Sequence, residues 1–323
     1  MALNSEEQFL ALIDAHFPAR HPRLALGRGD DCAVLRCPSR LCVSTDLFLE
    51  NVHFRRSYFS PEDIGYKALA VNVSDIAAMG AVPAGFTLEL MVPRGLDERF
   101  FERLFSGMAG LARVLDIPLL GGDLSRAEAL GLGIAIFGEA GPSGRFLTRC
   151  AASGDLLFVC GRLGLARAGL LALEEFGPAA ADRYPEAVAA HLRPRLLVRE
   201  GTLVAACPKV RGLMDLSDGL ARDLPRLLGR HLGSTLGAEL SIEPGTLCPE
   251  VLAYAGAKGL DAADFAVLGG EDYALLGAVP PQARRDLAAR VPGLCFIGRV
   301  TDGPDILVNG RPLAQAGFDH FTE

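Results

Sequence analysis

Apolar residues surround one segment of the chain on nearly every side. From Ile64 to Met79 the composition is that of a helix, yet the apolar positions form no single stripe. A helix that is apolar all round is a buried one. Asn72 and Asp75 lie three residues apart within it and therefore share a face. Because an ionised carboxylate buried without a partner is very costly, we expect Asp75 to meet a cation, a metal ion or several hydrogen-bond donors.

Periodic apolar positions predict further helices and strands. Ser5 followed by Gln8 is a capping-box pattern that opens a short amphipathic helix. The segment 97–116 has apolar residues at spacings of three and four, which is typical of an amphipathic helix. Short apolar runs predict strands, with Asn309-Gly310 as the turn of a final hairpin at 305–313. The predicted strands are 32–36, 41–44, 86–92, 117–120, 132–137, 155–160, 210–216, 273–279 and 295–300.

The length of the chain and the distribution of its turns predict two domains. A chain of 323 residues can form two domains that each bury their own core. A Gly/Pro turn at residues 138–144 marks the boundary, so we expect domains at residues 1–145 and 146–323. Because each half mixes strands and helices, the predicted fold class is α/β or α+β.

The composition argues against nucleic-acid and membrane partners. The net charge is −7 and the chain has no basic run. The first residues lack the pattern of a signal peptide, and no uncharged apolar segment reaches the ~20 residues that a membrane helix needs. None of the eight cysteines forms a CxxC pair, so we expect reduced, buried thiols. These features together predict a cytoplasmic protein.

Acidic residues recur beside small residues, within the buried helix and at predicted strand ends, where we expect loops. Each such motif alone is typical of a turn or a helix cap. Together they supply the hard oxygen ligands that Mg²⁺ prefers, while glycines let backbone N–H groups approach a phosphate. The sequence therefore predicts Mg²⁺ bridged to a polyphosphate. The motifs are Gly29-Asp30-Asp31, Ser44-Thr45-Asp46, Asn72-Val73-Ser74-Asp75, Gly121-Gly122-Asp123, Asp215-Leu216-Ser217-Asp218-Gly219 and Gly269-Gly270-Glu271-Asp272.

The common nucleotide-binding motifs are missing from the chain. It contains no GxxxxGKS/T, no proper GxGxxG and no HRD…DFG kinase set. The acidic motifs, in this order, are instead similar to those of the thiamine-monophosphate kinase family. The resemblance includes the long central stretch from Tyr66 to Gly80, and it extends from Gly27 to His320.

The resemblance implies a PurM-like fold and a phosphoryl-transfer reaction. An N-terminal α/β domain would pair with its copy in a homodimer and complete a β-barrel across the interface, with a C-terminal α/β domain behind it. The implied reaction is the ATP-dependent phosphorylation of thiamine monophosphate to thiamine diphosphate, with several Mg²⁺ ions as cofactors. The acceptor is already a phosphate oxyanion, so positioning and metal neutralisation can supply most of the catalysis.

The resemblance also assigns roles to individual residues. The implied magnesium ligands are Asp30, Asp31, Ser44, Thr45, Asp46, Asp75, Asp123, Asp215 and Asp218. The carboxylates expected to act in catalysis are Asp31, Asp46, Asp75, Asp123 and Asp215. The positions that match nucleotide binding are Gly121, Gly122, Arg149 and Ser217. The positions that match the binding of thiamine monophosphate are His53, Glu271 and Phe318.

Other interpretations of these residues stay open. His53 is also typical of a surface or capping residue, Glu271 of a turn, and Phe318 of an anchor for the C-terminal segment. Lys67 can extend to solvent, pair with Asp63 or belong to the site. The alternative functions are another PurM-like enzyme, of the aminoimidazole ribonucleotide synthetase or hydrogenase-maturation type, and a non-catalytic nucleotide-binding relative.

Overall fold

The computed structural model describes residues 5–28, 32–37 and 40–313. The chain forms two compact units. The first comprises residues 1–76 and 82–140, and the second comprises residues 77–81 and 141–323.

The first unit contains helices and a four-stranded mixed sheet. Its elements are α1 (Glu6–His16), β1 (Leu24–Leu26), β2 (Val34–Leu35), β3 (Leu41–Leu49), α2 (Pro61–Ala78), β4 (Ala81–Val92), α3 (Glu98–Leu115), β5 (Leu119–Arg126) and β6 (Gly131–Ala140). The sheet has the order β3-β6-β4-β5. β3 pairs antiparallel with β6, and β4 pairs parallel with β5. β3 and β5 are therefore its edge strands within the described residues.

The helix predictions for this unit are confirmed. Ser5 caps α1 by accepting a hydrogen bond from the backbone N–H of Gln8. Asp97 caps α3 in the same way, with its carboxylate 2.9 Å from the N–H of Phe100. Apolar residues of α2 are buried around its circumference, so the helix crosses the interior of the unit. The backbones of α2 and α3 meet closely, because a Cβ at Gly107 would overlap the carbonyl oxygen of Glu62.

Two polar residues of α2 have the burial that the pattern predicts, and Asp75 departs from it. Lys67 and Asn72 are buried, and Lys67 Nζ lies 5.4 Å from the centroid of the Phe59 ring. The interpretation that Lys67 extends to solvent is therefore wrong. Asp75 is only half-buried, since it lies near the end of the helix and faces β3.

Two acidic motifs lie inside strands, so the prediction that they occupy loops was wrong. Ser44-Thr45-Asp46 is in the middle of β3, where these residues pair with β6 from Ile136 to Ile134. Gly121-Gly122-Asp123 lies within β5 and pairs with β4. Polar residues are tolerated there because an edge strand leaves one side of its backbone open to solvent.

The second unit contains a seven-stranded mixed sheet with helices. Its elements are β7 (Leu156–Cys160), α4 (Leu165–Phe176), α5 (Pro185–Leu192), α6 (Val198–Ala205), β8 (Gly212–Asp215), α7 (Leu220–Leu227), β9 (Gly237–Leu240), α8 (Pro249–Ala257), α9 (Ala262–Val267), β10 (Leu275–Val279), α10 (Arg284–Arg290), β11 (Leu294–Thr301), β12 (Ile306–Val308) and β13 (Arg311–Pro312). The strand order is β13-β12-β9-β11-β7-β10-β8.

Strand pairing places one acidic motif at the end of this sheet. β10 pairs antiparallel with both β7 and β8, and its first residue, Leu275, lies opposite Asp215 at the end of β8. The chain that leads into β10 therefore arrives beside the chain that leaves β8. The hairpin at the C-terminal edge is confirmed, with Asn309 and Gly310 in the left-handed region at φ 50° and 77°.

All eight cysteines are free, as predicted, but their burial differs. Cys160, Cys207 and Cys248 are buried, whereas Cys32 and Cys150 are exposed, so the prediction of buried thiols holds only for part of the set. Among the described helices, none combines the length and the apolar character that crossing a bilayer requires. The cytoplasmic location stays a prediction.

Candidate active site

A serine and two carboxylates meet in the first unit. Ser44 Oγ donates a hydrogen bond of 2.5 Å to Asp75 Oδ2, which joins β3 to α2. Asp46 lies two residues after Ser44 on the same strand, so its side chain is on the same face. Burial, with a smaller contribution from the charge of Asp75, raises the pKa of Asp46 to about 6. The result is one half-buried group of hard oxygen atoms that can bind a metal ion, formed by Ser44, Asp46 and Asp75.

This group has the chemistry of a partial magnesium site. Two neighbouring carboxylates repel each other when both are ionised, and a divalent cation relieves that repulsion. Proteins commonly hold Mg²⁺ by one or two carboxylates plus waters and substrate phosphate oxygens, so the donor set of Ser44, Asp46 and Asp75 fits this ion. Across the described ranges, no cluster of three or more His, Cys, Asp or Glu side chains is arranged to hold a metal ion by itself.

Thr45 lies on the opposite face of β3. Exposure alternates along this strand: Val43 and Leu47 are 60% and 58% exposed, and Thr45 is exposed between them. Successive side chains of a strand point to opposite faces of the sheet. The hydroxyl of Thr45 is therefore directed away from the group formed by Ser44, Asp46 and Asp75, and only its backbone lies beside them.

The motif Gly121-Gly122-Asp123 lies on β5, at the other edge of the sheet. Asp123 is exposed and pairs in register with Glu89 of β4. Since β6 and β4 lie between the two edge strands, β3 and β5 are separated by three strand spacings, or roughly 14 Å. The sheet of a single copy therefore separates Asp123 from Asp46.

Gly121 and Gly122 line a cleft of 370 Å³ next to α1. Arg28 borders this cleft, and its guanidinium donates 2.9 Å to the carbonyl oxygen of Leu119 and 2.7 Å to the carboxylate of Asp14. A Cβ at Gly122 would overlap the carbonyl oxygen of Leu88, so only glycine fits there. A strand glycine of this kind lets another group approach the backbone closely.

His53 has a structural role in the turn after β3. Its Nδ1 accepts a hydrogen bond of 3.0 Å from the backbone N–H of Leu49, and its ring stacks on Phe48 with centroids 5.9 Å apart. These contacts fit the capping interpretation of His53, and its role towards a substrate stays a prediction. In the neutral imidazole, Nδ1 as acceptor leaves the proton on Nε2, which makes Nε2 a donor.

The second unit holds a separate acidic group next to α7. One guanidinium nitrogen of Arg226 lies 2.8 Å from the carboxylate of Asp218 and 2.7 Å from that of Asp223. Asp223 is fully buried and also accepts a hydrogen bond of 3.0 Å from the backbone N–H of Asp218. Burial is the main reason why the pKa of Asp223 rises to about 6, and the charge of Asp218 adds to it. Asp218 is thus paired with an arginine.

Two motifs that are far apart in sequence meet in this unit. The backbone N–H of Glu271 donates 2.7 Å to the carbonyl oxygen of Ser217, and that of Tyr273 donates 2.9 Å to Leu216. A Cβ at Gly270 would lie 3.0 Å from the Ser217 carbonyl oxygen, so the two segments are in direct contact. The motif that begins at Asp215 therefore lies beside the Gly-Gly-Glu-Asp motif.

The Gly-Gly-Glu-Asp motif is anchored by its last residue. The two carboxylate oxygens of Asp272 accept hydrogen bonds of 2.6 Å from Gly164 N–H and 3.0 Å from Ala166 N–H, and so cap the start of α4. Burial raises the pKa of Asp272 to about 7. Glu271 Oε2 lies 3.1 Å from Nδ1 of His191, a buried residue of α5.

The chain is similar to known proteins over almost its whole length. Residues 29–140 match the family model described as AIR synthase related protein, N-terminal domain. The thiamine-monophosphate kinase of Escherichia coli is 36% identical over 311 residues, which cover 92% of this chain and 92% of that protein. The chain belongs to the thiamine-monophosphate kinase family.

Solved structures of the thiamine-monophosphate kinase family superimpose on this chain. The enzyme from Stenotrophomonas maltophilia is 32% identical and has a TM-score of 0.80, with 96% of this chain and 98% of that chain covered. AaThiL complexed with AMPPCP and TMP is 28% identical and has a TM-score of 0.75, with 99% and 100% covered. The family resemblance and the PurM-like α/β fold with mixed sheets are confirmed.

The structure brings together some of the site residues that the sequence predicts and separates others. Ser44, Asp46 and Asp75 meet in the first unit, while Ser217 meets Glu271 in the second. Asp215 is buried at the end of β8. Arg149 is exposed, between Thr148 and Cys150, whose backbones adjoin β8. The predicted site residues outside the described part of the chain are Asp30, Asp31 and Phe318.

Sequence reasoning missed three residues of these groups. Asp223 and Arg226 follow Asp218 by five and eight residues, and only the turn into α7 brings them back to it. His191 is remote from Glu271 in sequence. Its one local signal is a single imidazole within the apolar helix Pro185–Leu192.

Proposed function

We propose that this protein is a thiamine-monophosphate kinase, which transfers the γ-phosphoryl group of ATP to thiamine monophosphate and gives thiamine diphosphate and ADP. The observation that carries the proposal is the similarity to AaThiL complexed with AMPPCP and TMP, which covers 99% of this chain. The group formed by Ser44, Asp46 and Asp75 supports it, because its oxygens suit the metal ion that accompanies a polyphosphate.

The chemistry of this reaction matches the residues of the chain. A phosphate acceptor is already an oxyanion, so no side chain has to act as general base. In phosphoryl transfer, catalysis comes mainly from positioning and from electrostatic stabilisation. When bound, Mg²⁺ supplies the neutralisation of phosphate charge. The carboxylates of Asp46 and Asp75 would hold it, and Ser44 orients Asp75 by its hydrogen bond.

The remaining assignments follow from the family and are part of the proposal. The further magnesium ligands are Asp30, Asp31, Ser44, Thr45 (through its backbone), Asp123, Asp215 and Asp218. The nucleotide contacts are Gly121, Gly122, Arg149 and Ser217. The contacts to thiamine monophosphate are His53, Glu271 and Phe318. We assign residues 1–145 as the domain that binds ATP and Mg²⁺ and residues 146–323 as the C-terminal PurM-like domain.

We also propose a homodimer in which the first units of two copies complete a β-barrel. The support is the open face of β3, where Val43 and Leu47 are 60% and 58% exposed, and the position of β3 and β5 at the sheet edges. A second copy would cover this apolar face, and its edge strands would pair with β3 and β5. Sedimentation analysis at micromolar concentration tests the dimer, and a monomer would contradict it.

A turnover assay tests the proposed function. Purified protein is incubated with ATP, Mg²⁺ and thiamine monophosphate, and thiamine diphosphate is resolved by chromatography. We expect product from thiamine monophosphate, none from thiamine, and a loss of at least a hundredfold in Asp75→Asn, by analogy with the loss of other charge-stabilising groups. The matched control is Asp116→Asn, an 86% exposed carboxylate that should leave turnover unchanged.

Other outcomes of this assay would identify the alternatives. Turnover of formylglycinamidine ribonucleotide instead of thiamine monophosphate would indicate an enzyme of the aminoimidazole ribonucleotide synthetase type. Binding of ATP and Mg²⁺ without turnover of any acceptor would indicate a non-catalytic relative. Either outcome would overturn the proposed function.

A further inference from the structure

A buried histidine holds the carboxylate of Glu271 in the second unit. Nδ1 of His191 lies 3.1 Å from Oε2 of Glu271; the His191 side chain is 1% exposed and that of Glu271 is 24% exposed. An ionised carboxylate only accepts hydrogen bonds, so Nδ1 carries the proton in this pair. One oxygen of Glu271 is thus held by a side chain that solvent does not reach, while about a quarter of the surface of the Glu271 side chain stays exposed.

The backbone around Glu271 is held in an uncommon conformation. Glu271 and Tyr273 both have positive φ, 62° and 46°, although neither is glycine. Such conformations cost roughly 1–3 kcal/mol each and persist only where surrounding contacts fix them. Here the contacts are the Asp272 cap on α4 and the two backbone hydrogen bonds to Ser217 and Leu216. The effect of this arrangement is to present the Glu271 side chain to His191.

The position of His191 is set by the same helix that Asp272 caps. A Cβ at Gly169 of α4 would overlap the carbonyl oxygen of Ala187 of α5, so the two helices are in backbone contact. Ala187 and His191 are one helical turn apart on α5. Asp272 is therefore hydrogen-bonded to the start of α4, and α4 packs against α5. Glu271 in turn contacts α5 through His191. These contacts form a closed loop of interactions around one carboxylate.

We propose that His191 is a positioning residue for the recognition of thiamine monophosphate. It donates its Nδ1 hydrogen to Glu271 and so holds that carboxylate in the orientation in which it can accept a hydrogen bond from the amine on the pyrimidine end of thiamine monophosphate. This inference rests on the proposed function, in which Glu271 contacts the acceptor. His191 itself touches neither substrate, and its effect is confined to the acceptor.

Three variants of His191 separate this role from a general effect on folding. His191→Leu removes the donor, and His191→Gln moves the amide to about the place of Nε2, away from Glu271. His191→Asn keeps an N–H near the place of Nδ1 and is the conservative variant. Glu186→Gln is the control on the same helix, since the Glu186 side chain is 59% exposed. Thermal unfolding of each variant identifies those that are folded.

The readout is the Michaelis constant for each substrate. Loss of a hydrogen bond to a charged group typically weakens binding by roughly tenfold or more. We expect His191→Leu and His191→Gln to raise KM for thiamine monophosphate about tenfold, with KM for ATP changed less than twofold. For His191→Asn, KM for thiamine monophosphate should stay within about threefold of the value for the unaltered protein. For Glu186→Gln, it should equal that of the unaltered protein. Glu271→Gln should show the same selective loss, and combining it with His191→Leu should add little further.

Two results would overturn the inference: an equal rise in KM for ATP and for thiamine monophosphate, or an unchanged KM for thiamine monophosphate in folded His191→Gln. Calorimetric titration with thiamine monophosphate alone keeps the test separate from turnover. If the unaltered protein forms no thiamine diphosphate, the proposed function fails. Weaker binding of thiamine monophosphate by His191→Gln would still support the inference, and equal binding would overturn it.

Discussion

The ionisation of Asp46 gives a quantitative test of the proposed magnesium site. Burial and the charge of Asp75 raise the pKa of Asp46 to about 6, and a carboxylate must be ionised to bind a metal ion. With that pKa, Asp46 is ionised in about one tenth of molecules at pH 5 and about nine tenths at pH 7. The affinity for Mg²⁺ should therefore fall about tenfold from pH 7 to pH 5, which corresponds to about 1.4 kcal/mol.

Isothermal titration calorimetry measures both consequences of this ionisation. Titration of Mg²⁺ in two buffers with different protonation enthalpies gives the affinity and the number of protons released. At pH 6 we expect the release of about half a proton for each Mg²⁺ ion that binds. Asp46→Asn should remove the proton release together with most of the affinity. The exposed Asp116→Asn should change neither quantity.

Two results would refute this reasoning. An affinity for Mg²⁺ that is equal at pH 5 and pH 7 would show that Asp46 does not bind the ion in its ionised form. Full binding by Asp46→Asn would show that the group formed by Ser44, Asp46 and Asp75 is not the site.

Three further predictions concern the free energy of unfolding, measured by urea titration. Gly107→Ala puts a Cβ into the Glu62 carbonyl oxygen and should cost about 1–3 kcal/mol, whereas Gly110→Ala has open space in the same helix and should cost nothing; equal losses would contradict this. Asp272→Ala removes both hydrogen bonds to the start of α4 and should cost about 1–3 kcal/mol at pH 5, where burial keeps the Asp272 carboxyl uncharged, and an unchanged midpoint would show that the cap adds no stability. Burial raises the pKa of Asp272 to about 7 and that of Asp223 to about 6, so between pH 4 and 7 the folded state keeps protons that the unfolded state has lost. The free energy of unfolding without Mg²⁺ should therefore fall as the pH rises through this range. An increase would contradict the raised pKa values of Asp272 and Asp223.

Local patterns in the sequence were enough to predict several elements. The apolar surround of α2 and the three-and-four spacing of α3 come from positions within one helix, and both helices form as expected. Asn309-Gly310 predicts its hairpin because few residues adopt two successive positive φ angles. In each of these cases the cause of the structure lies within a few residues of the pattern.

The features that the sequence did not predict depend on contacts between distant segments. Ser44, Thr45 and Asp46 are polar and resemble a loop, but pairing with β6 keeps them in a strand. Glu271 and His191 are eighty residues apart, and no local pattern relates them. The resemblance to the family predicts Glu271 as a site residue, whereas only the packing of α5 in the structure relates His191 to it.

Transfer of a labelled phosphoryl group from ATP is the decisive test of the proposed kinase activity. The protein is incubated with thiamine monophosphate, Mg²⁺ and ATP that carries an isotopic label in its γ-phosphoryl group, and the products are separated and analysed by mass spectrometry. We expect the label in the terminal phosphate of thiamine diphosphate, with one ADP formed for each labelled molecule. Label found only in inorganic phosphate, or retained in ATP, would contradict it.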